Sequence, residues 1–373
     1  MSLTDADAGW MRAALGLARR GLGRVWPNPA VGCLIVAGDR VVGRGRTADG
    51  GRPHAETVAL ARAGTAARGA TAYVTLEPCA HTAKTPPCAD ALIAAGIARV
   101  VSTIEDPDPR VAGSGFAALR AAGIDVVAGC LAAEAEELNA GFLSRVRTGK
   151  PRLTLKLAAS LDGRIATASG ESRWITGPRA RAEVHLMRAR SDAVLVGGGT
   201  ARTDDPRLDV RGLGMTGADP VRVVVSGGLD LPRGGTLGTT AREIPLWLCH
   251  HSEAEAESRA AWSGTGADLL EIPFQDDGRL DLSALLRILG DRGLTRVLCE
   301  GGGRLSAALL EAGLVDEVVL YTAGIVLGAD GTPAIGPLRA EALADAPRLR
   351  LVETARIGDD TRSRWVATGT FAT

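Results

Sequence analysis

The sequence predicts an α/β protein built of two successive domains, and three observations carry that prediction. Strand-like and helix-like patterns alternate along both halves. The chain has 373 residues, about twice an ordinary domain. A polar stretch at 145–151 (RVRTGKP) interrupts the pattern, which then restarts. The expected domains are therefore 1–148 and 149–373, with 145–151 as the linker.

In the first half, Thr4 and Asp7 form a capping-box pattern ahead of an apolar period through Trp10, Ala14, Leu17 and Ala18, so a helix is expected over about 5–20. Residues 30–37 and 40–45 read as a hairpin turned by Gly38-Asp39. A helical period runs over 54–63, a β-branched buried strand over 70–76, and a helix over 87–95, closed by Gly96. A strand at 98–103 and a helix at 116–122, closed by Gly123, follow. The second half predicts strands at 152–159, 192–197, 221–226, 246–249, 295–299 and 315–321. Helices are predicted at 178–190, 282–290 and 304–312, and two further strands in the last 25 residues.

Composition excludes several function classes. Lysine plus arginine equals aspartate plus glutamate at 43 each, so the strong positive field of a general nucleic-acid binder is missing. Aromatics at 3% give no base-stacking platform. No apolar run approaches the length of a membrane span, and the N-terminus lacks a basic-then-apolar leader pattern, so a cytoplasmic protein is expected. Six cysteines are too sparse for a disulfide framework. Cys33, Cys130, Cys249 and Cys299 lie in apolar stretches and read as buried thiols.

The chemistry is carried first by His54-Ala55-Glu56, Pro78-Cys79 and Cys88. A zinc deaminase needs three protein ligands and one position open to water, and one His with two Cys supplies that set. Glu56, two residues after His54 at a helix start, is placed to shuttle a proton without ligating the metal. Eight residues separate the two Cys, where nucleic-acid deaminases usually have two. The second half has no G-x-G-x-x-G fingerprint, but Gly197-Gly198-Gly199-Thr200 and Gly301-Gly302-Gly303 each follow a predicted strand. Glycines there allow backbone N–H groups to approach phosphates.

The segment TLEPCAHTAKTPPCADALIAAGIARV (75–100), together with PNPAVGC (27–33), HAE (54–56) and EDPDPRVAGSG (105–115), closely resembles the bifunctional riboflavin-biosynthesis deaminase–reductase family. So do 155–176, 185–211 and 298–321 in the second half, and the likeness covers nearly the whole chain. It implies a cytidine-deaminase-like α/β/α domain followed by a dihydrofolate-reductase-like α/β domain. The implied reactions are zinc-dependent removal of the ring 2-amino group of a ribosylated diaminopyrimidinone 5′-phosphate, then NADPH-dependent reduction of its ribosyl chain to ribityl. By the resemblance His54, Cys79 and Cys88 hold zinc, Glu56 is catalytic, and Asn28, His81 and Lys84 contact the deaminase substrate. Ala158, Trp174, Thr200, Asp204, Gly302, Gly303, Arg304, Leu305, Ser306, Ala307 and Ala308 match NADPH contacts. Ser172, Arg188, Leu208, Arg211 and Glu300 match contacts to the reductase substrate, with Arg188 and Arg211 suited to clamp a phosphate. Lys156 and Asp162 stand in a matching motif. The family also implies a homo-oligomer.

Three positions depart from the family pattern: Thr47 replaces a histidine, Ala83 a glycine, and Ser226-Gly227 an Asp-Ser pair. An alternative reading is a zinc deaminase of nucleosides or tRNA whose second domain is not catalytic. The Cys spacing, the neutral charge and the few aromatics weigh against it.

Overall fold

The computed structural model describes residues 2–80, 86–108, 111–275 and 278–368. The chain divides into two compact units, Met1–Lys150 and Pro151–Thr373.

In the first unit the elements run α1 (Asp5–Arg19), β1 (Gly32–Ala37), β2 (Arg40–Arg46), α2 (Ala55–Ala63), β3 (Thr71–Val74), α3 (Cys88–Ala94), β4 (Arg99–Ser102), α4 (Ser114–Ala121), β5 (Asp125–Val127) and α5 (Ala132–Thr148). The capping box forms as the sequence predicts: the Asp7 backbone N–H donates to Thr4 Oγ1 at 3.2 Å, and the Thr4 N–H to Asp7 Oδ2 at 2.9 Å. The sheet order is β2-β1-β3-β4-β5, antiparallel around β1 and parallel from β3 to β5. Alternation along the strands splits the core between two faces. Cys33, Ile35, Val74 and Val100 pack with Ala55 and Ala59 of α2 and Leu92 of α3. Leu34, Val36, Tyr73 and Val101 pack with Met11 and Leu15 of α1 and Leu138 of α5. The result is the expected α/β/α layering.

Two readings of this half need correction. Residues 145–148 are not linker but the last turn of α5, which Gly149 caps in the left-handed conformation at φ 73°, and the first unit ends at Lys150. The helix was hidden by its glutamates and by Gly141, yet Ala135, Leu138 and Phe142 bury one face at helical spacing. The strand β5 is only three residues long, too short to show a period.

In the second unit the order is β6 (Arg152–Ser160), β7 (Arg164–Ala166), α6 (Pro178–Ala189), β8 (Ala193–Gly197), α7 (Gly198–Asp204), β9 (Val221–Val225), α8 (Thr236–Thr239) and β10 (Leu246–His250). Then come α9 (Ala256–Gly264), β11 (Asp268–Glu271), α10 (Leu282–Asp291), β12 (Arg296–Cys299), α11 (Gly303–Glu311), β13 (Glu317–Ala323), β14 (Thr332–Pro333), β15 (Leu349–Ile357) and β16 (Asp360–Ala367). The main sheet runs β11-β10-β9-β8-β12-β6-β13-β16-β15. It is parallel from β11 to β13 and closes with the antiparallel β15–β16 hairpin. Parallel strands buried on both faces read as continuous apolar runs, which is why β8 (AVLVG) and β9 (VRVVV) were legible. The sequence pattern predicts none of α7, α8 and α9; α9 buries little beyond Trp262, so its sequence has almost no apolar stripe.

Candidate functional site

In the first unit, α2 and α3 bring the three predicted ligands together. His54 is the N-cap of α2 and Cys88 opens α3. The ligand atoms of His54, Cys79 and Cys88 lie within 4.8 Å of one another. His54 Nδ1 is 3.7 Å from Cys79 Sγ and 3.4 Å from Cys88 Sγ. The Cys88 backbone N–H donates to Cys79 Sγ at 3.4 Å. Hydrogen bonds from Cys88 and His54 draw the Cys79 pKa down to about 4 against the opposing effect of burial. One imidazole and two sulfurs converging from two helix starts fit a zinc ion with one position left open.

Glu56 sits in the first turn of α2, 4% exposed. Burial raises its pKa, with His54 and a hydrogen bond to Cys88 pulling the other way. A carboxyl kept near its proton is what a proton shuttle requires.

Backbone geometry around Cys79 is set by its neighbour Glu77, which is 3% exposed. Its Oε2 accepts from the N–H groups of Asp106 (3.1 Å) and Gly113 (2.9 Å), and its Oε1 from Gly115 (2.8 Å) and Phe116 (3.2 Å). Apart from its place in the TLEPC segment, no pattern of residue types marks Glu77.

Asn28 lies in the loop ahead of β1, where its side chain rests against Gly51. Thr47, at the first departure, is buried and structural. Its hydroxyl donates to the Pro29 carbonyl at 3.1 Å and accepts from the Val31 N–H at 3.0 Å. His81, Ala83 and Lys84 lie outside the described residues.

The second unit has two adjoining cavities at the carboxyl ends of its parallel strands, where ligands bind in such sheets. The larger, about 940 Å³, is bounded by the glycines after β8, the end of β9 and the start of α11. Thr200, Asp204, Gly302, Gly303, Arg304, Leu305 and Ala308 line it. Ser306 and Ala307 are buried in the first turns of α11 behind that wall. The Ser306 hydroxyl is buried and has no hydrogen-bond partner among the described residues. Gly302 has φ 99°, and a Cβ there would stand 2.9 Å from Thr200 Oγ1. Bare backbone, a helix start and an unpaired hydroxyl fit the phosphates of a dinucleotide.

The second cavity, about 790 Å³, is lined by Lys156, Ala158, Ser172, Trp174, Arg188, Leu208, Arg211 and Glu300 among others. The two share Ile165, Ser172, Thr200, Asp204 and Gly302. Ala158 and Trp174, matched to the cofactor by resemblance, thus stand on the smaller cavity's wall. Trp174 is 66% exposed, with the Arg181 guanidinium 4.6 Å above its ring.

Arg188 is already engaged. Its Nε and Nη2 donate to Glu300 at 2.5 and 2.8 Å, and Nη1 to the Asp209 carbonyl at 3.0 Å. Arg211 is more than half exposed and pairs with Asp209 at 2.5 Å. Arg207, also on this wall, pairs with the same carboxylate at 2.9 Å. His185 accompanies them, its Nδ1 3.2 Å from the Asp209 carbonyl. Sequence reading overlooked Arg207 and His185 as site residues, although both lie in the segment 185–211. Lys156 is half-buried on this wall, and desolvation lowers its pKa while Glu300 opposes that. Asp162 instead ties a loop: its carboxylate accepts from Ser160 Oγ and from the N–H groups of Leu327 and Gly328.

The third departure also has a structural reason. A Cβ on Gly227 would lie 2.7 Å from the His251 ring, and the His251 N–H donates to the Gly227 carbonyl at 3.1 Å. The imidazole stacks on Phe274 with ring centres 4.9 Å apart.

Residues 151–362 match the family model described as the RibD C-terminal domain, and residues 4–104 match the cytidine and deoxycytidylate deaminase zinc-binding region. The chain is 46% identical to the riboflavin biosynthesis protein RibD of Escherichia coli (strain K12), over 95% of its own length and 97% of that protein. It is 41% identical to the RibD of Haemophilus influenzae, over 99% and 100%. Among solved structures it superposes on Acinetobacter baumannii RibD with a TM-score of 0.86 at 40% identity, covering 97% of this chain and 99% of that one. A Thermotoga maritima structure, titled a diaminohydroxyphosphoribosylaminopyrimidine deaminase and 5-amino-6-(5-phosphoribosylamino)uracil reductase, gives 0.85 at 31% identity, covering 97% and 99%.

Proposed function

The chain belongs to the RibD family of riboflavin-biosynthesis proteins, and from that premise we propose how its residues divide two successive reactions. It is a bifunctional enzyme, a zinc-dependent deaminase and an NADPH-dependent reductase. Deamination belongs to 1–148 and reduction to 149–373. The observation that carries this reading is the convergence of His54, Cys79 and Cys88 beside buried Glu56 in one unit, and of two adjoining cavities in the other.

In the first unit, His54, Cys79 and Cys88 would hold the zinc, which would lower the pKa of a water so that hydroxide is available for attack on a ring carbon at neutral pH. Glu56 takes the proton from the attacking water and delivers it to the departing 2-amino nitrogen. Asn28, His81 and Lys84 hold the pyrimidine and its phosphate. The Glu77 carboxylate, by fixing four backbone N–H groups, keeps Pro78-Cys79 in place for the metal.

In the second unit, NADPH when bound would supply the hydride for the Schiff-base carbon of the opened ribose. The larger cavity would take the cofactor: Gly302, Gly303, Arg304, Leu305 and Ala308 would face its phosphates, with buried Ser306 and Ala307 behind them, and Thr200 and Asp204 would border the reacting end. The smaller takes the substrate, with Ser172, Leu208 and Glu300 on its walls and Arg207, Arg211 and His185 toward the phosphate. Arg188 holds Glu300 ionised beside Lys156 rather than clamping phosphate with Arg211.

The substrate is a small phosphorylated pyrimidine, and the enzyme works in the cytoplasm as a homo-oligomer. No helix among the described residues is long and apolar enough to cross a membrane. All six cysteines are unpaired, as a reducing compartment favours. The edge strand β15 leaves Leu351 and Val352 exposed, a surface suited to self-association. Chelation tests the division of labour. Removing zinc from the full-length enzyme should abolish deamination and leave NADPH-dependent reduction of the deaminated intermediate intact. Loss of both activities together would contradict it.

A further inference from the structure

The two cavities fix the direction in which the dinucleotide lies. Their shared residues, Thr200, Asp204 and Gly302 among them, mark the reacting end near β6 and β12. The larger cavity then runs across β8 to the carboxyl end of β9, where Val225, Ser226, Gly227 and Asp230 line it. From β6 to β9 is three strand spacings, about 14 Å. A dinucleotide whose reacting end meets those shared residues would carry its adenosine end over β9.

A charged pair waits there. Arg202 projects from α7 and donates from Nη1 to Asp230 Oδ2 at 2.8 Å and to the Asp230 carbonyl at 3.3 Å. Asp230 is held from its other side by Ser226 Oγ, which donates to Oδ1 at 2.9 Å. Both side chains of the pair reach solvent, at 44% and 68% exposure, and both line the cavity. Nε and Nη2 of Arg202 donate to nothing among the described residues. A carboxylate at such a place accepts from a ribose 2′-hydroxyl, whereas an arginine accommodates a 2′-phosphate. Here the carboxylate is occupied on both oxygens and the guanidinium has nitrogens to spare.

We propose that Arg202 reads the 2′-phosphate of NADPH and sets the preference over NADH, with Asp230 and Ser226 as its positioning residues. The role rests on the second unit's being the NADPH site and adds a contact that the family resemblance did not imply. The fork geometry suits a phosphate, which an arginine binds through parallel N–H groups. Ser226, one of the departures from the family pattern, thereby acts on the cofactor through Asp230 and Arg202.

The test is a calorimetric titration of the full-length protein with NADP⁺ and NAD⁺, repeated with 2′,5′-ADP and 5′-AMP as probes. Arg202→Ala should weaken NADP⁺ and 2′,5′-ADP roughly tenfold to a hundredfold. It should leave NAD⁺ and 5′-AMP unchanged. Arg202→Lys should recover part of the loss, and Asp230→Asn should weaken NADP⁺ less than Arg202→Ala does. Equal weakening of both dinucleotides by Arg202→Ala, or no weakening, would overturn the role. Tighter NADP⁺ binding by Asp230→Asn would overturn the positioning part. Failure of the unaltered protein to bind either dinucleotide would overturn the cofactor site itself, and the proposal with it.

Discussion

Glu56 and Asp7 are both buried acids, and their surroundings give them opposite tasks. Burial outweighs other influences at Glu56 and keeps its carboxyl close to its proton, ready for transfer. Glu56→Gln should lower deamination by about 10²–10⁴-fold while bound zinc, measured by elemental analysis, stays stoichiometric. Burial also pushes Asp7 up, but hydrogen bonds from Arg99, Thr4 and Tyr73 overcome it and hold the carboxyl well below its usual range. Arg99 reaches both oxygens, at 2.8 and 3.1 Å, and the Tyr73 hydroxyl one of them at 2.8 Å. The folded form thus favours ionised Asp7. Its contribution is complete above the unfolded value of about 3.9 and is lost as pH falls from there through the depressed folded value. Thermal melts of the full-length protein should show a falling acid limb below about pH 4, and Asp7→Asn should flatten it. Asp7→Ala should cost about 1–3 kcal/mol, because it removes the hydrogen bonds to Tyr73 and Arg99 while Arg99 keeps Asp125 as a partner. Asp7 was legible only as half of a capping box, since its partners Tyr73 and Arg99 are distant in sequence.

The seating of α2 decides where His54 and Glu56 point. Gly45 of β2 lets that helix approach so closely that a Cβ would stand 2.2 Å from the Ala55 carbonyl, the residue between His54 and Glu56. Gly45→Ala should displace the start of α2 and reduce zinc occupancy, checked by metal analysis beside a circular dichroism melt. A variant with full zinc and unchanged stability would contradict this packing argument. Elements with a clear period or a buried apolar run, such as α1, β8 and β9, were readable from sequence. The helix α5 was not, because Gly141 and its glutamates blur the stripe that Leu138 and Phe142 form. The ligand set and the two glycine clusters were legible because metal and phosphate demand particular residue types at particular places. The Arg202–Asp230 pair was not, because nothing in sequence brings the turn after β9 beside α7.

For the molecule as a whole, the proposed division gives each reaction its own compact unit. The departures at Thr47 and Ser226-Gly227 do not dismantle either site: Thr47 closes a loop, Gly227 makes room for His251, and Ser226 braces Asp230. Cys79→Ser should therefore lose zinc and deamination, yet still reduce the deaminated intermediate with NADPH. A substitution in the second unit, Glu300→Gln, should have the opposite pattern and leave deamination at its original rate.

One chain performs both steps in order. The zinc-loaded enzyme would be given the diaminopyrimidinone ribosyl phosphate with and without NADPH, and its products followed by mass spectrometry. Without NADPH only replacement of the amino group by oxygen is expected. With NADPH the same product should carry two further hydrogens. No turnover under either condition, or reduction that precedes deamination, would contradict it.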